Sequence, residues 1–266
     1  MKPCNDQSLA HSCVVSCEVA ADAVVRAGPE TLAELRRHPG PAPHMSPPAS
    51  LLKHADEQTV AGLCAVYQAI VRAGWQGACF RDWGVVAAPR FLGRPAMVAA
   101  LQRFAAEGAW GVSPHLIPHR SLHSVSGTIS QALQIHGPNF GVGGGPGGPL
   151  EGLLAATALL IGKQLPGVWM VLTCLSPEGP PDEAGQMPSG SQAIGMALAL
   201  TPIPSPQERG DKGDRQRLHI VDGIPDAAML ARIEEEMGLA TLRRSVGKVR
   251  RFGEASLIDV FAERAS

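Results

Sequence analysis

The chain has 266 residues, of which 45% are hydrophobic and 4% aromatic, and its formal net charge at pH 7 is -1. This hydrophobic content is enough for a packed core, in one large domain or in two smaller ones. The near-neutral charge argues against a nucleic-acid-binding protein, and the shortage of aromatic side chains argues against a base-stacking surface.

The cysteines predict a reducing compartment. Six of them are scattered without a CxxC pair, which in a chain of this length indicates free thiols rather than a disulfide framework. Cys13 and Cys17, near His11, lack the further ligands that a zinc site needs. The N-terminal "MKPCNDQSLAHS" has no apolar segment of a signal peptide, so we expect a cytoplasmic protein.

The first 50 residues contain an apolar run, "CVVSCEVAADAVV", that is compatible with a first strand. A proline-rich connector follows over residues 39–50. From residue 51 the apolar spacing changes to that of an amphipathic helix. Its predicted buried face consists of Val60, Leu63, Val66, Tyr67 and Ile70.

Helices and strands then alternate along the chain. We predict a short strand over residues 83–89, a helix in "PAMVAALQRFAAEG" that ends at Gly108, and another helix in "SVSGTISQAL". The segment "GPNFGV" leads into a glycine run and the apolar helix "PLEGLLAATALLIG". Strands are predicted over residues 167–175 and in "QAIGMALALTPI". This alternation is typical of an α/β fold.

Residues 200–217, "LTPIPSPQERGDKGDRQR", resemble a translated intergenic repeat of the kind found in some bacterial genomes. They are polar, proline-rich and aperiodic, so we predict a disordered insertion. Structure is predicted to resume with a strand in "LHIVDG" and a helix in "PDAAMLARIEEEMG". That helix has Asp226 in its first turn and Gly238 at its end.

The glycine run allows a dinucleotide-binding interpretation. Gly143–Gly148 satisfies GxGxxG and opens a helix, and Glu178 follows the next predicted strand. One observation argues against this interpretation. The motif needs a buried, apolar strand before its glycines, and this chain has Gly-Pro-Asn there. The acid also lies further along than the usual ~20 residues. Dinucleotide binding stays open as an alternative.

Several motifs in order resemble the N-terminal half of the β-ketoacyl synthases, which have the thiolase-like fold. They are "KHADEQTVAGLCAVYQAIVRAGW", "DWGVVAAPRFLGRP", "GVSPHLIPHRSLHSVSGTISQALQIHGPNFGV" and, after the apolar helix, "VWMVLTCLSPE". The resemblance covers residues 50–178. It implies a thiolase-like half, an α/β mixed sheet with a buried central helix and flanking helices.

The resemblance also implies a division of the chain. Residues 1–50 would supply an N-terminal strand and a connector, and residues 51–199 the ketosynthase-like domain. Residues 200–217 would be the insertion. Residues 218–266 would form a C-terminal strand and helices that pack on the same domain.

In the family, a cysteine nucleophile begins the buried helix, where the helix N-terminus favours the thiolate and backbone N–H groups stabilise the oxyanion. Counted from Gly137 and Pro138, that position falls on Pro146. Residues 141–149 contain no Cys, Ser or Thr. The remaining acyl- or oxyanion-binding candidates are the backbone N–H groups of Gly145, Gly147 and Gly148.

The family's second half supplies two histidines and a lysine, and this chain is too short to contain that half. The segment "GKVRRFGEASLIDVFAERA" resembles the family's late helix, which places Lys248 near the lysine and Glu254 at a histidine position. The resemblance therefore implies a non-catalytic protein, a partner or chain-length-factor-like subunit in polyketide or fatty-acid-like biosynthesis. The alternatives are an acyl-thioester-binding acyltransferase with an unrecognised nucleophile, the dinucleotide binder and a decayed gene product.

The expected partners are a ketosynthase, an acyl carrier protein or a second copy of the chain, without nucleic acid, membrane, metal or cofactor. The apolar helix that follows the glycine run needs cover on all sides. Residues 217–266, a second copy or a partner ketosynthase are the candidates for that cover.

His115, His119 and His123 recur every four residues, the spacing of one helix face. Pro118 is expected to break such a helix, and no acidic residue lies close by, so we expect solvated or interface histidines rather than a zinc site. Cys174 lies inside a predicted strand, where a buried and inert thiol is expected.

Overall fold

The computed structural model describes residues 14–40, 47–114, 116–145, 147–178, 182, 188–203, 217–221 and 224–238. Seven strands form one sheet in the order β3-β2-β4-β5-β1-β6-β7. They are β1 (Val14–Ala27), β2 (Gly84–Pro89), β3 (Asn139–Gly141), β4 (Val168–Ser176), β5 (Gln192–Thr201), β6 (Arg217–Val221) and β7 (Ile224–Pro225).

The sheet is mixed, which confirms the predicted α/β class. Strands β3, β2 and β4 run parallel, and helices lie in the connections between them, as parallel pairs require. Strands β5, β1, β6 and β7 continue the sheet in antiparallel pairs. All six residues of β2 are buried because helices cover both faces of this parallel part.

Eight α-helices are described. They are α1 (Pro29–Arg37), α2 (Ala49–Leu52), α3 (Glu57–Arg72), α4 (Arg94–Glu107), α5 (Leu116–Arg120), α6 (His123–Leu133), α7 (Gly148–Gly162) and α8 (Ala227–Met237). Helices α1, α3 and α6 pack on one face of the sheet, and α7 and α8 on the other, so the sheet separates two hydrophobic clusters. Of these helices, none has the length and apolar character needed to cross a bilayer.

Helix α3 is the central element of the first cluster. All five residues of its predicted face are at most 1% exposed. The Asp56 carboxylate caps the helix by accepting from the Gln58 N–H at 2.9 Å. The helix lies unusually close to the sheet, since a Cβ on Gly195 would be 2.4 Å from the Ala61 carbonyl oxygen. Burial therefore extends beyond the predicted stripe to almost the whole circumference.

Residues 14–40 contain more regular structure than the sequence patterns predict. Strand β1 has 14 residues and pairs with both β5 and β6, so it is an internal strand of the sheet. Helix α1 was not predicted, although it has Pro29 in its first turn, Glu30 beside it and two arginines in its last turn. Its signal is short and directly precedes the proline-rich connector.

The apolar helix α7 is buried on one side only. Leu150, Leu153, Ala156 and Leu160 pack on the sheet, where the helix contacts β2 and β4. Among the described residues Ala158 and Ile161 are exposed, Ile161 by 50%, and Leu154 is partly buried against the same cluster. Helix α8 lies on the same face of the sheet and packs on β4 and β5, and β7 contacts α7.

The C-terminal elements agree with the sequence prediction in type and position. Asp226 caps α8 by accepting from the Met229 N–H at 2.9 Å, and Gly238 ends it in the left-handed conformation. Strand β5 extends to Thr201 and β6 begins at Arg217. Residues 204–216, most of the predicted insertion, lie outside the described residues.

Candidate functional site

A glycine-rich elbow, residues 142–148, connects the edge strand β3 to α7. Backbone hydrogen bonds continue the parallel pairing beyond β3, from the Val142 N–H to the Ala87 oxygen (2.8 Å) and from the Phe91 N–H to the Gly144 oxygen (3.0 Å). The elbow therefore lies at the carboxyl end of β2, beside the first turn of a helix. Ligand sites in α/β proteins commonly occur at this place.

Two glycines of the elbow, and Gly141 directly before it, are required by the backbone geometry. Gly143 and Gly144 have φ angles of 78° and 100°, which strain other residues. A Cβ on Gly143 would lie 2.5 Å from the Gly148 Cα, and one on Gly141 would lie 2.0 Å from the Leu122 oxygen. The close approach of these backbone segments accounts for the glycines without a ligand.

The backbone N–H groups of the elbow differ in availability. The Gly148 N–H donates to the Gly145 oxygen at 3.1 Å, and the N–H groups of Leu150 and Glu151 donate to the Gly147 oxygen. Those of Gly145 and Gly147 donate to no backbone carbonyl among the residues described. The Gly148 N–H is therefore engaged within the elbow, and the oxyanion-binding roles of Gly145, Gly147 and Gly148 stay predictions. Pro146, the predicted nucleophile position, lies outside the described residues.

A carboxylate lies beside the elbow. Glu151, in the first turn of α7, folds back so that its Oε1 is 3.2 Å from the position of a Cβ on Gly147. Its Oε2 is 3.5 Å from the corresponding position on Gly143. The helix N-terminus stabilises this negative charge. The same charge would oppose a thiolate or an oxyanion at the elbow.

A buried ion pair joins the carboxyl ends of β2 and β4. Arg90 donates from Nε and Nη2 to the two Glu178 carboxylate oxygens, at 3.1 and 2.5 Å. The side chains are 5% and 18% exposed. Arg90 was not predicted as a site residue, and Glu178 was predicted only as the acid of a dinucleotide-binding site. In the structure that carboxylate already has a cationic partner.

A buried amide holds the backbone beside this ion pair. Gln58 of α3 donates from Nε2 to the Arg90 carbonyl oxygen at 2.9 Å and accepts from the Thr173 hydroxyl at 2.9 Å. The Arg90 N–H donates to the Thr173 carbonyl oxygen at 2.8 Å. Helix α3 and strands β2 and β4 are therefore locked together next to the elbow. An arginine directly after an entirely apolar strand is the signal that could have revealed this cluster.

Three cysteines in the described core are not poised as nucleophiles. Cys174 is fully buried, as predicted, and burial, with a smaller effect of the Glu178 charge, raises its pKa to about 12. Burial also raises the pKa of Cys17 and of Cys64 to about 12. Such thiols stay protonated near neutral pH.

His119 and His123 do not lie on one continuous helix. His119 lies in α5 and His123 in α6, and the two helices are separated at residues 121–122. The prediction that Pro118 breaks the helix was wrong, because proline is tolerated in the first turn, where it lies within α5. In the part of the chain that the structure describes, which leaves out His115, no cluster of His, Cys, Asp and Glu could hold a metal ion.

Lys248 and Glu254 lie outside the described residues, so the resemblance to a late ketosynthase helix stays a prediction. No protein-family model matches the chain, and no curated protein matches it either.

Ketosynthases are among the solved structures to which this chain is similar. The ishigamide ketosynthase/chain length factor is similar over 73% of this chain and 63% of its own, with a TM-score of 0.49 and 15% identity. A second similar structure is a type II polyketide ketosynthase bound to the hexaketide, in complex with its acyl-carrier protein. The similarity covers 71% of this chain and 63% of that one, with a TM-score of 0.49 and 11% identity.

A third similar structure is the ketosynthase ApeO in complex with its chain length factor ApeC, from Xenorhabdus doucetiae. The similarity covers 72% of this chain and 59% of that one, with a TM-score of 0.47 and 15% identity. The chain thus spans less than two thirds of the length of these three structures. They belong to the family that the sequence motifs resemble.

Proposed function

We propose that this chain is a non-catalytic ketosynthase-like protein, a partner or chain-length-factor-like subunit in polyketide or fatty-acid-like biosynthesis. The observation that carries the proposal is the chemistry of the elbow. Residues 141–149 supply no Cys, Ser or Thr where the family has its nucleophile. Gly145 and Gly147 offer backbone N–H groups, but Glu151 adds a negative charge beside them.

A partner role is supported by the outward side of α7. Among the described residues Ala158 and Ile161 of this helix are exposed, and Leu154 and Ala155 are partly buried beside them. Apolar strips on helices are usually covered by another surface. A ketosynthase partner is the occupant that follows from the proposed role.

Activity assays test the non-catalytic part of the proposal. The purified chain is expected to show no decarboxylation of malonyl thioesters and no condensation with acyl thioesters. Restoring the family's nucleophile with Pro146→Cys is also expected to give no activity, because the Glu151 carboxylate beside the elbow opposes a thiolate there. Condensation by the purified wild-type chain alone would overturn the proposal.

Affinity capture tests the partner role. Tagged chain is expressed in its native host, and the captured proteins are identified by mass spectrometry. Recovery of a complete ketosynthase is expected, and Ile161→Glu should weaken it. Leu101→Glu, on the exposed side of α4, is the matched control and should leave the recovery of the ketosynthase unchanged. Recovery of the chain alone would remove the partner on which the role depends.

The second candidate function is acyl-thioester binding, favoured by the two N–H groups that remain at the elbow. A covalent acyl-thioester probe distinguishes it from the first candidate. Labelling of a single side chain, located by peptide mapping, would identify an acyltransferase nucleophile outside the elbow.

A further inference from the structure

A basic cavity of about 350 Å³ lies between the end of α1, the α2–α3 connection, α4 and the segment around α5. Its described lining contains four permanent cations and two histidines, and no carboxylate. The cations are Arg36, Lys53, Arg103 and Arg120, and the histidines are His54 and His119. The protein as a whole has a net charge of -1, so this positive charge is local.

Two of the arginines hold the wall of the basic cavity. Arg36 donates from Nη1 to the carbonyl oxygens of Leu52 (3.1 Å) and Ala55 (2.7 Å). Arg120 donates from Nη1 to the His54 carbonyl oxygen at 3.1 Å. The α2–α3 connection, which carries Lys53, is thus fixed from both sides. A ligand there would not have to order this connection when it binds.

The two wall arginines are partly neutralised from behind the cavity. The Glu57 Oε1 lies 3.4 Å from the Arg36 Nη2, and the Asp56 Oδ2 lies 3.8 Å from the Arg120 Nε. The charge of the basic cavity therefore comes mainly from Lys53 and Arg103, which are exposed and belong to different elements, and the Glu107 carboxylate lies beside Gly111 of the lining. Two positive charges match the roughly -1.5 to -2 charge of a phosphomonoester at pH 7. A single carboxylate would leave an excess of positive charge.

One wall of the cavity is apolar. Helix α4 presents a stripe of small side chains at helical spacing, which ends in Arg103. The apolar lining residues are Ala55, Ala96, Ala99, Ala100, Val112 and Leu116. Small side chains leave room for a compact apolar group beside the cations. The cavity therefore has separate places for an anionic group and an apolar group.

We propose that the basic cavity binds an organic phosphate, a small molecule in which a phosphomonoester is attached to a compact apolar group. Lys53 and Arg103 bind the phosphoryl oxygens, and the alanine stripe of α4 contacts the apolar group. The proposal is independent of the proposed function, because neither the elbow nor α7 lines this cavity.

Isothermal titration calorimetry on the full chain at physiological salt tests the proposal, with phenyl phosphate as the probe. We expect saturable binding of one molecule per chain, with an affinity about tenfold higher than for inorganic phosphate, the equivalent of one modest apolar contact. Lys53→Gln and Arg103→Gln should each weaken binding by about tenfold, as loss of one charge-assisted hydrogen bond does.

The matched control is Lys163→Gln, which removes the same charge from an exposed residue at the end of α7, away from the cavity. It should leave phenyl phosphate binding unchanged. Circular dichroism verifies that all three variants are folded. The proposal is overturned if phenyl phosphate does not saturate at millimolar concentration, or if inorganic phosphate binds equally well. It is also overturned if Lys163→Gln weakens binding as much as Lys53→Gln.

Discussion

Arg90 and Glu178 form a two-point ion pair across the carboxyl ends of β2 and β4, with donor–acceptor distances of 3.1 and 2.5 Å. Both residues are removed from bulk solvent, at 5% and 18% side-chain exposure. Loss of one partner would leave the other charge desolvated and unpaired. The pair therefore fixes the end of the parallel sheet beside the glycine-rich elbow.

Glu178→Gln is expected to lower the free energy of unfolding by about 3 kcal/mol, because Arg90 keeps its charge in a buried place. The exposed pair Arg26–Glu236, at 45% and 31% side-chain exposure, offers the matched comparison. Glu236→Gln should cost less than about 1 kcal/mol. Urea denaturation measures both changes. Equal costs for the two substitutions would show that the Arg90–Glu178 pair behaves as a surface pair.

The elbow glycines are predicted to differ sharply in how well they tolerate substitution by alanine. Gly143→Ala forces a Cβ within 2.5 Å of the Gly148 Cα at a φ of 78°, so we expect a loss of about 2 kcal/mol or more. Among the described residues, Gly145 has no atom within 4 Å of its Cβ position, and its φ is not left-handed. Gly145→Ala should change stability by less than about 1 kcal/mol. Thermal unfolding of the two variants makes the comparison, and a tolerated Gly143→Ala would contradict the close packing.

The buried thiols should resist alkylation. With pKa values of about 12, Cys17, Cys64 and Cys174 have a thiolate fraction of only about 1 in 10⁴ at pH 8. Iodoacetamide is expected to label the exposed Cys79 in the native protein, and these three only in denaturant. Peptide mapping by mass spectrometry measures the order in which the cysteines are alkylated. Labelling of Cys174 before Cys79 would point instead to an accessible nucleophile near Glu178.

Asp56 is predicted to make stability depend on pH. Burial, aided by the charge of Glu57, raises its pKa from 3.8 to about 6, against the opposing hydrogen bond from Gln58 and the charges of Arg120 and Arg36. The folded state then holds the proton more tightly than the unfolded state. The stabilising contribution is full below about pH 4 and is lost as the pH rises through about 6.

Asp56→Asn removes this titration and keeps an amide oxygen for the helix cap. Relative to the wild type, the variant should gain up to about 3 kcal/mol of stability between pH 4 and pH 7. Urea denaturation of both proteins at the two pH values measures the difference. Parallel stability profiles for wild type and variant would show that Asp56 does not titrate in this range.

The sequence by itself determined the type and place of most helices and strands. The apolar spacing of α3, the uniform run of β4 and the Asp226 and Gly238 signals of α8 are local properties, and local backbone geometry follows from them. The absence of Cys, Ser and Thr from residues 141–149 is likewise a fact of composition. These features needed no knowledge of distant contacts.

Only the tertiary structure decided which elements are neighbours. Arg90 and Glu178 are 88 residues apart, and Arg36 reaches carbonyl oxygens 16 and 19 residues away. The order β3-β2-β4-β5-β1 brings such groups together, and no periodicity encodes that order. The ion pair, the half-exposed α7 and the basic cavity therefore emerged from packing between distant segments, because their partners are selected by the folded sheet rather than by the adjacent sequence.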